Sequence, residues 1–196
     1  MLGTGIVDPK NCPETIRISR QRIKLRKHQG NPLQAGEDVR LHGHGSKVAS
    51  ILLKTAPYAD LYIYRVLHSN EDKLERSVVT RALVDAIESG VDLVNMSFGW
   101  AQKHGKGDQQ LDDALNLCRS SHVLVFAATN NDGIGSSMSF PAWDAHVISI
   151  DAAAADGKFL VSNPGCGSTK KARLAALGEQ SRLMFLPISM EHTMVV

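Results

Sequence analysis

From position 60 onward, short apolar runs alternate with longer stretches whose apolar residues recur at helical spacing. The run LYIYRVL over 61–67 is dense in β-forming residues. Over 71–90, Leu74, Val78, Leu83, Ala86 and Ile87 return on one helical face, and Gly90 is placed to end the helix. The run DLVNM over 92–96 reads as a short buried strand. Residues 108–120 repeat the helical pattern, with Leu111, Ala114, Leu115 and Cys118 on one side. The run VLVFA over 123–127 is apolar throughout, as a strand covered on both faces should be. Residues 146–150 and 159–161 complete the series as two further strands. This alternation predicts an α/β fold, a three-layer sandwich with a mostly parallel central sheet.

Two regions stand outside that rhythm. Residues 16–27 hold Arg17, Arg20, Arg22, Lys24, Arg26 and Lys27 and no acid. Lacking aromatic side chains to stack on bases, the run reads as a solvated insert rather than a nucleic-acid surface. Residues 166–196 show neither a clean period nor turn punctuation. The pattern therefore divides the chain into a domain over 1–165 and a divergent C-terminal segment over 166–196, with no internal repeat.

Bulk composition narrows the partners. The chain has 196 residues, 43% hydrophobic and 21% charged, which suits one domain with a real core. A net charge of +2 gives no field to attract nucleic acid, and no run approaches the roughly 18 apolar residues that cross a bilayer. Neither nucleic acid nor membrane is expected as a partner; oligomeric state is left open. Residues 1–10 lack a basic stretch followed by an apolar one, so no secretory leader is expected. Cys12, Cys118 and Cys166 are odd in number and form no CxxC pair. Reduced thiols and cytoplasmic residence fit that usage better than a disulfide framework.

The sharpest chemical signal is LHGHGSKVASIL over 41–52. Small residues around His44 let the backbone turn tightly into a helix that Val48, Ile51 and Leu52 anchor in the core. A histidine on such a rigid element can face an open cleft, as a general base must. His42 and His44 form an HxH pair, but no cysteine or carboxylate cluster accompanies them, and no metal is expected. Downstream, VDLVNMSFG over 91–99 places Ser97 and Gly99 just after a strand, and VFAATNNDG over 125–133 does the same for Asn130. In open α/β sheets the cleft lies at the carboxyl ends of the strands, where these residues would meet. Taken singly, Asn130 also reads as a turn residue in its Asn-Asn-Asp-Gly loop, and Ser97 as a cap.

The order of these segments, followed by SFPA over 139–142, resembles the subtilisin-like serine peptidases (subtilases): HGTxVA, a strand ending NMSxG, then AAGN, then YPA. The resemblance runs over about residues 1–163. It implies a serine endopeptidase domain without a cofactor, with a peptide or protein as substrate. Carried across, His44 matches the catalytic histidine and Asn130 the asparagine whose amide donates to the developing oxyanion. Ser97, Phe98 and Gly99 match the segment that pairs with substrate.

Departures from the family are as informative. MLGTGI over 1–6 matches the motif of the triad aspartate with Gly3 in the aspartate's place, and Asp8 lies too far along to substitute. No segment matches GTSxAxP, the nucleophile motif; Ser168 and Ser189 have the surroundings of ordinary serines. RLAALGE over 173–179 resembles the stretch that precedes that motif. Lys47 and Thr129 also depart, the latter standing where AAGN has glycine. The expected fold is thus subtilisin-like but incomplete at both ends. The expected function is a truncated or degenerate endopeptidase domain that does not itself cleave peptides, or alternatively a non-catalytic peptide-binding module.

Overall fold

The apolar runs form strands and the periodic stretches form helices, close to where the pattern puts them. The computed structural model describes residues 23–26, 44–64, 66, 74–101, 109–165, 173–178 and 193–195. In chain order the elements are β1 (Ile23–Arg26), α1 (His44–Thr55), β2 (Leu61–Tyr64), α2 (Arg76–Glu88), β3 (Leu93–Ser97), α3 (Gln109–Ser120), β4 (Leu124–Ala128), β5 (Val147–Ala153), β6 (Arg173–Leu177) and β7 (Thr193–Val195). A five-stranded sheet runs β6-β5-β4-β3-β7, and β1 pairs with β2 in a second, two-stranded sheet. Every pairing is parallel except that of β7, which lies antiparallel to β3. The class is therefore mixed α/β with a mostly parallel sheet, as the alternation requires.

Helix α2 buries Val79, Ala82, Leu83 and Ala86, the three-and-four spacing of one face, and α3 buries Leu111, Ala114, Leu115 and Cys118. Both stripes close on Val94 and Met96 of β3, Val125 and Ala127 of β4 and Val147 of β5, giving one continuous core. Truncating a fully buried leucine such as Leu83 in such a core costs about 2–5 kcal/mol. Tyr64 ties β2 to α2 by donating its hydroxyl to Asp85 Oδ2 at 2.6 Å. Beyond the cap residue Ser89, Gly90 takes φ 72°, the left-handed conformation that ends helices most cheaply in glycine. A separate cluster joins Ala49 and Leu53 of α1 to Leu61 and Ile63 of β2. Among the described residues no helix is long and apolar enough to cross a membrane.

Three expectations need correction. The basic run 16–27 is not wholly a solvated insert, because Ile23–Arg26 forms β1 in register with Leu61–Tyr64. Its Ile-Lys-Leu-Arg alternation is the period of a strand, and counting only its charge hid that period. Residues 159–161 are not a strand. A turn through Gly157, at φ 82°, folds the chain back so that Phe159 makes only an isolated bridge to Ala153. Asn163 then occupies the position a neighbouring strand would take: its side chain accepts from Ala152 N at 2.9 Å and donates to Ala152 O at 2.7 Å. Finally, residues 173–177, which showed no clean period, form β6 along the edge of β5.

Candidate functional site

β3 and β4 run parallel and adjacent, so the segments leaving their carboxyl ends emerge side by side. Ser97, Phe98 and Gly99 leave β3, and Thr129 and Asn130 leave β4. Between them lies a cleft of about 430 Å³, lined by Ser97, Phe98 and Gly99 on one wall, by Ala128 and Asn130 on the other, and by Asp132, Ser136, Ser137 and Ser139 from the following loop. Four of the five residues singled out from the sequence thus share one cleft. The fifth, His44, is the first residue of α1, and its ring lies outside the described residues. Gly3, Asp8, Ser168 and Ser189 also lie outside them.

Each wall has a physical reason for its residues. Gly99 passes so close to the loop that a Cβ there would come 2.3 Å from Ser139 Oγ and 2.7 Å from Ser139 Cβ. Only glycine lets the two walls approach this closely. Phe98 is 3% exposed and packs edge-on against Trp100, so its ring belongs mostly to the core and only its margin reaches the cleft. Trp100 carries the wall onward: its N–H donates to Phe140 O at 2.8 Å and its carbonyl accepts from Phe140 N at 2.9 Å. Its indole N–H donates to Leu74 O at 3.0 Å, and the Arg76 guanidinium stacks 5.0 Å from its ring centre.

Asn130 is held by both ends of its amide. Its backbone sits at φ 141°, a region that side-chain-bearing residues seldom occupy. Its Oδ1 accepts from Asp132 N at 3.1 Å and lies 3.2 Å from the Ser136 hydroxyl. Its Nδ2 donates one N–H to Ser137 O at 2.5 Å. A primary amide has two N–H groups, and this bond uses one of them. The Asn-Asn-Asp-Gly sequence is therefore a turn as well: the Asn130 side chain closes it, and Gly133 completes it at φ 83°.

Behind Asn130 stands a buried polar network that the sequence reading did not find. The Thr129 hydroxyl donates to Asp151 Oδ1 at 2.6 Å, and Arg173 grips both Asp151 oxygens, through Nε at 2.7 Å and Nη2 at 2.5 Å. Arg173 also donates to Gly165 O and Pro164 O, each at 3.1 Å. Thr129 and Asp151 are 1% and 2% exposed. Thr129 O in turn accepts from Ser139 N at 2.8 Å and from Ser139 Oγ at 2.9 Å, which links the network to the cleft loop. The departure from glycine at Thr129 thus has a structural cause, since the added hydroxyl satisfies Asp151. An aspartate ending the mostly apolar run VISID was the available signal, because a strand interior holds a charge only when it is paired.

Among the described residues no group of three or more His, Cys, Asp or Glu side chains could hold a metal ion.

Comparison with known proteins agrees with this fold. The model of the subtilase family matches residues 9–193. The subtilisin-like protease het-Q2 of Podospora anserina is 39% identical over 121 residues, 60% of this chain and 33% of that protein. Alkaline elastase YaB of Bacillus sp. (strain YaB) is 32% identical over 120 residues, 57% of this chain and 30% of that protein. The match thus spans about a third of the length of these curated relatives. Among solved structures, the prenylagaramide maturation protease PagA superposes with a TM-score of 0.62 at 27% identity, covering 83% of this chain and 56% of that one. The patellamide maturation protease PatA shares the fold with a TM-score of 0.64, covering 91% of this chain and 68% of that one.

Proposed function

The chain belongs to the subtilase family, which it matches over residues 9–193, and from that premise we propose that it forms the peptide-holding part of a subtilisin-like serine endopeptidase domain. An extended peptide lies against Ser97–Gly99, one side chain enters the cleft, and the free N–H of Asn130 meets the carbonyl oxygen of the bond beside it. The observation carrying this reading is the placement of Asn130. Its amide is clamped at three points while one N–H is left over, in a cleft closed on the other side by the close approach of Gly99 to Ser139. A pre-oriented donor aimed at developing negative charge is the main electrostatic contribution such a site makes to acyl transfer.

Hydrolysis needs more than this donor. A nucleophile must be activated by a base, and the base must be held in the right tautomer. With Gly3 at the aspartate position and no serine in a matching motif, we propose that this chain by itself forms no acyl-enzyme. Its relatives' proteolysis would then survive here as recognition, a non-catalytic peptide-binding role. Two measurements on the purified chain separate the versions. A fluorophosphonate probe should leave every serine unlabelled, and covalent labelling of any one would show a working nucleophile and refute the inactive reading. Extended peptides should bind saturably in calorimetry, and absence of heat for all of them would refute the peptide-holding role.

A further inference from the structure

Asp132 is the single charged residue among the described residues that line the cleft. Its backbone is held two residues beyond the amide donor, where its N–H donates to Asn130 Oδ1 at 3.1 Å. It is solvent-exposed, and it has no ion pair among the described residues. The surroundings are graded. Phe98, Ala101 and Ala128 give apolar wall, while Ser136 and Ser137 give hydroxyls on the loop that carries Asp132. Aliphatic wall leading to hydroxyls and one carboxylate complements a side chain with an alkyl stem and a cationic head. Neutral or acidic side chains would leave the carboxylate without its counter-charge or set two like charges together.

We infer that the cleft selects peptides by a lysine or arginine side chain, with Asp132 as the selecting residue. This rests on the peptide-holding reading above and adds to it the class of ligand. The stem lies along Phe98 and Ala128, and the head reaches Asp132 at the mouth, where water still screens the pair. Screening keeps the selectivity moderate: a partly exposed charge pair at such a mouth is worth about twofold to fivefold in affinity. Arginine gains over lysine, since its planar fork can bind the carboxylate and a neighbouring loop oxygen together.

The test uses the full chain and three fluorescein-labelled peptides of sequence Ala-Ala-Xaa-Ala-Ala, with Xaa arginine, norleucine or glutamate, read by fluorescence anisotropy. Arginine should bind about twofold to fivefold tighter than norleucine, and glutamate weakest. The arginine advantage should shrink as salt rises, whereas the norleucine affinity should hardly respond. Asp132→Asn should bring the arginine-to-norleucine ratio close to one, and Asp132→Glu should restore most of it. Asp156→Asn, a remote surface carboxylate paired with Lys158, should leave the ratio as it is. Norleucine binding with no arginine advantage, or an advantage that survives Asp132→Asn, overturns the charge selection alone. Failure of all three peptides to bind overturns the peptide-holding reading and the selection together.

Discussion

Consider replacing Arg173 by methionine. The side chains of Arg173 and Asp151 are 11% and 1% exposed, so the substitution leaves a carboxylate inside the protein with only the Thr129 hydroxyl for company. Taking one partner from a buried pair costs about 3–5 kcal/mol, because the remaining charge keeps its desolvation penalty without its counter-ion. The contacts of Arg173 to Pro164 O and Gly165 O go as well, releasing that turn from the edge of β5. For a chain of this size each kcal/mol lowers Tm by about 2–4 °C, so a fall of roughly 6–20 °C is expected in a circular-dichroism melt. The partner experiment is Arg173→Met combined with Asp151→Leu. With both charges gone the desolvation penalty goes too, and what remains is the orphaned Thr129 hydroxyl, a deficit of about 1–3 kcal/mol, beside the Pro164 and Gly165 carbonyls already freed in the single variant. The double variant should therefore melt well above the single one. If Arg173→Met shifts Tm by less than about 2 °C, or if the double variant is no better than the single, the pair does not hold the β5–β6 edge and the reasoning fails.

Two further outcomes follow from the same structure. Gly99→Ala forces Ser139 aside and disturbs its bonds to Thr129 O, which should cost about 1–3 kcal/mol of stability and lower peptide affinity; an unchanged melt with unchanged binding would show that the two walls are not in close contact. Burial pushes the Cys118 thiol up to about 11 from its ordinary 9.0. At pH 8 the native thiol should therefore resist iodoacetamide while the urea-unfolded chain reacts, as read by peptide mass mapping that separates it from Cys12 and Cys166. The same displacement means that stability is undiminished below pH 9 and falls as pH rises from 9 towards 11, since only the unfolded chain releases this proton readily.

Much of the architecture was legible because it follows from local periodicity. The stripe on α2 declares a partner surface, and burial supplied it, whereas in the apolar run of β4 only Val125 and Ala127 are buried and Leu124 is 53% exposed, so the strand is not covered on both faces. Asn130, Ser97 and Gly99 could be placed in one cleft because strand order alone brings the carboxyl ends of β3 and β4 together. What stayed hidden depends on pairings between distant positions. Nothing near Arg173 announces that it meets Asp151, so neither the reason for Thr129 nor the strand character of RLAAL could be read there. β1 was missed for another reason, since lysine and arginine dominate by charge a run whose alternation with isoleucine and leucine is the strand signal.

The pairing of β7 with β3 also sets a timetable. Met96 meets Met194, almost a hundred positions further along, whereas β3, β4 and β5 pair in the order in which they are made. Contacts closed by short chain segments form earlier than those closed by long ones. On a ribosome adding about 5–20 residues per second, roughly 5–20 s separate the appearance of Met96 from that of Met194. Throughout that interval the outer edge of β3 presents unpaired amide and carbonyl groups at Asn95–Ser97, a template on which another nascent chain can add a strand. The last strand thus ends the period in which the newborn sheet can recruit a neighbour.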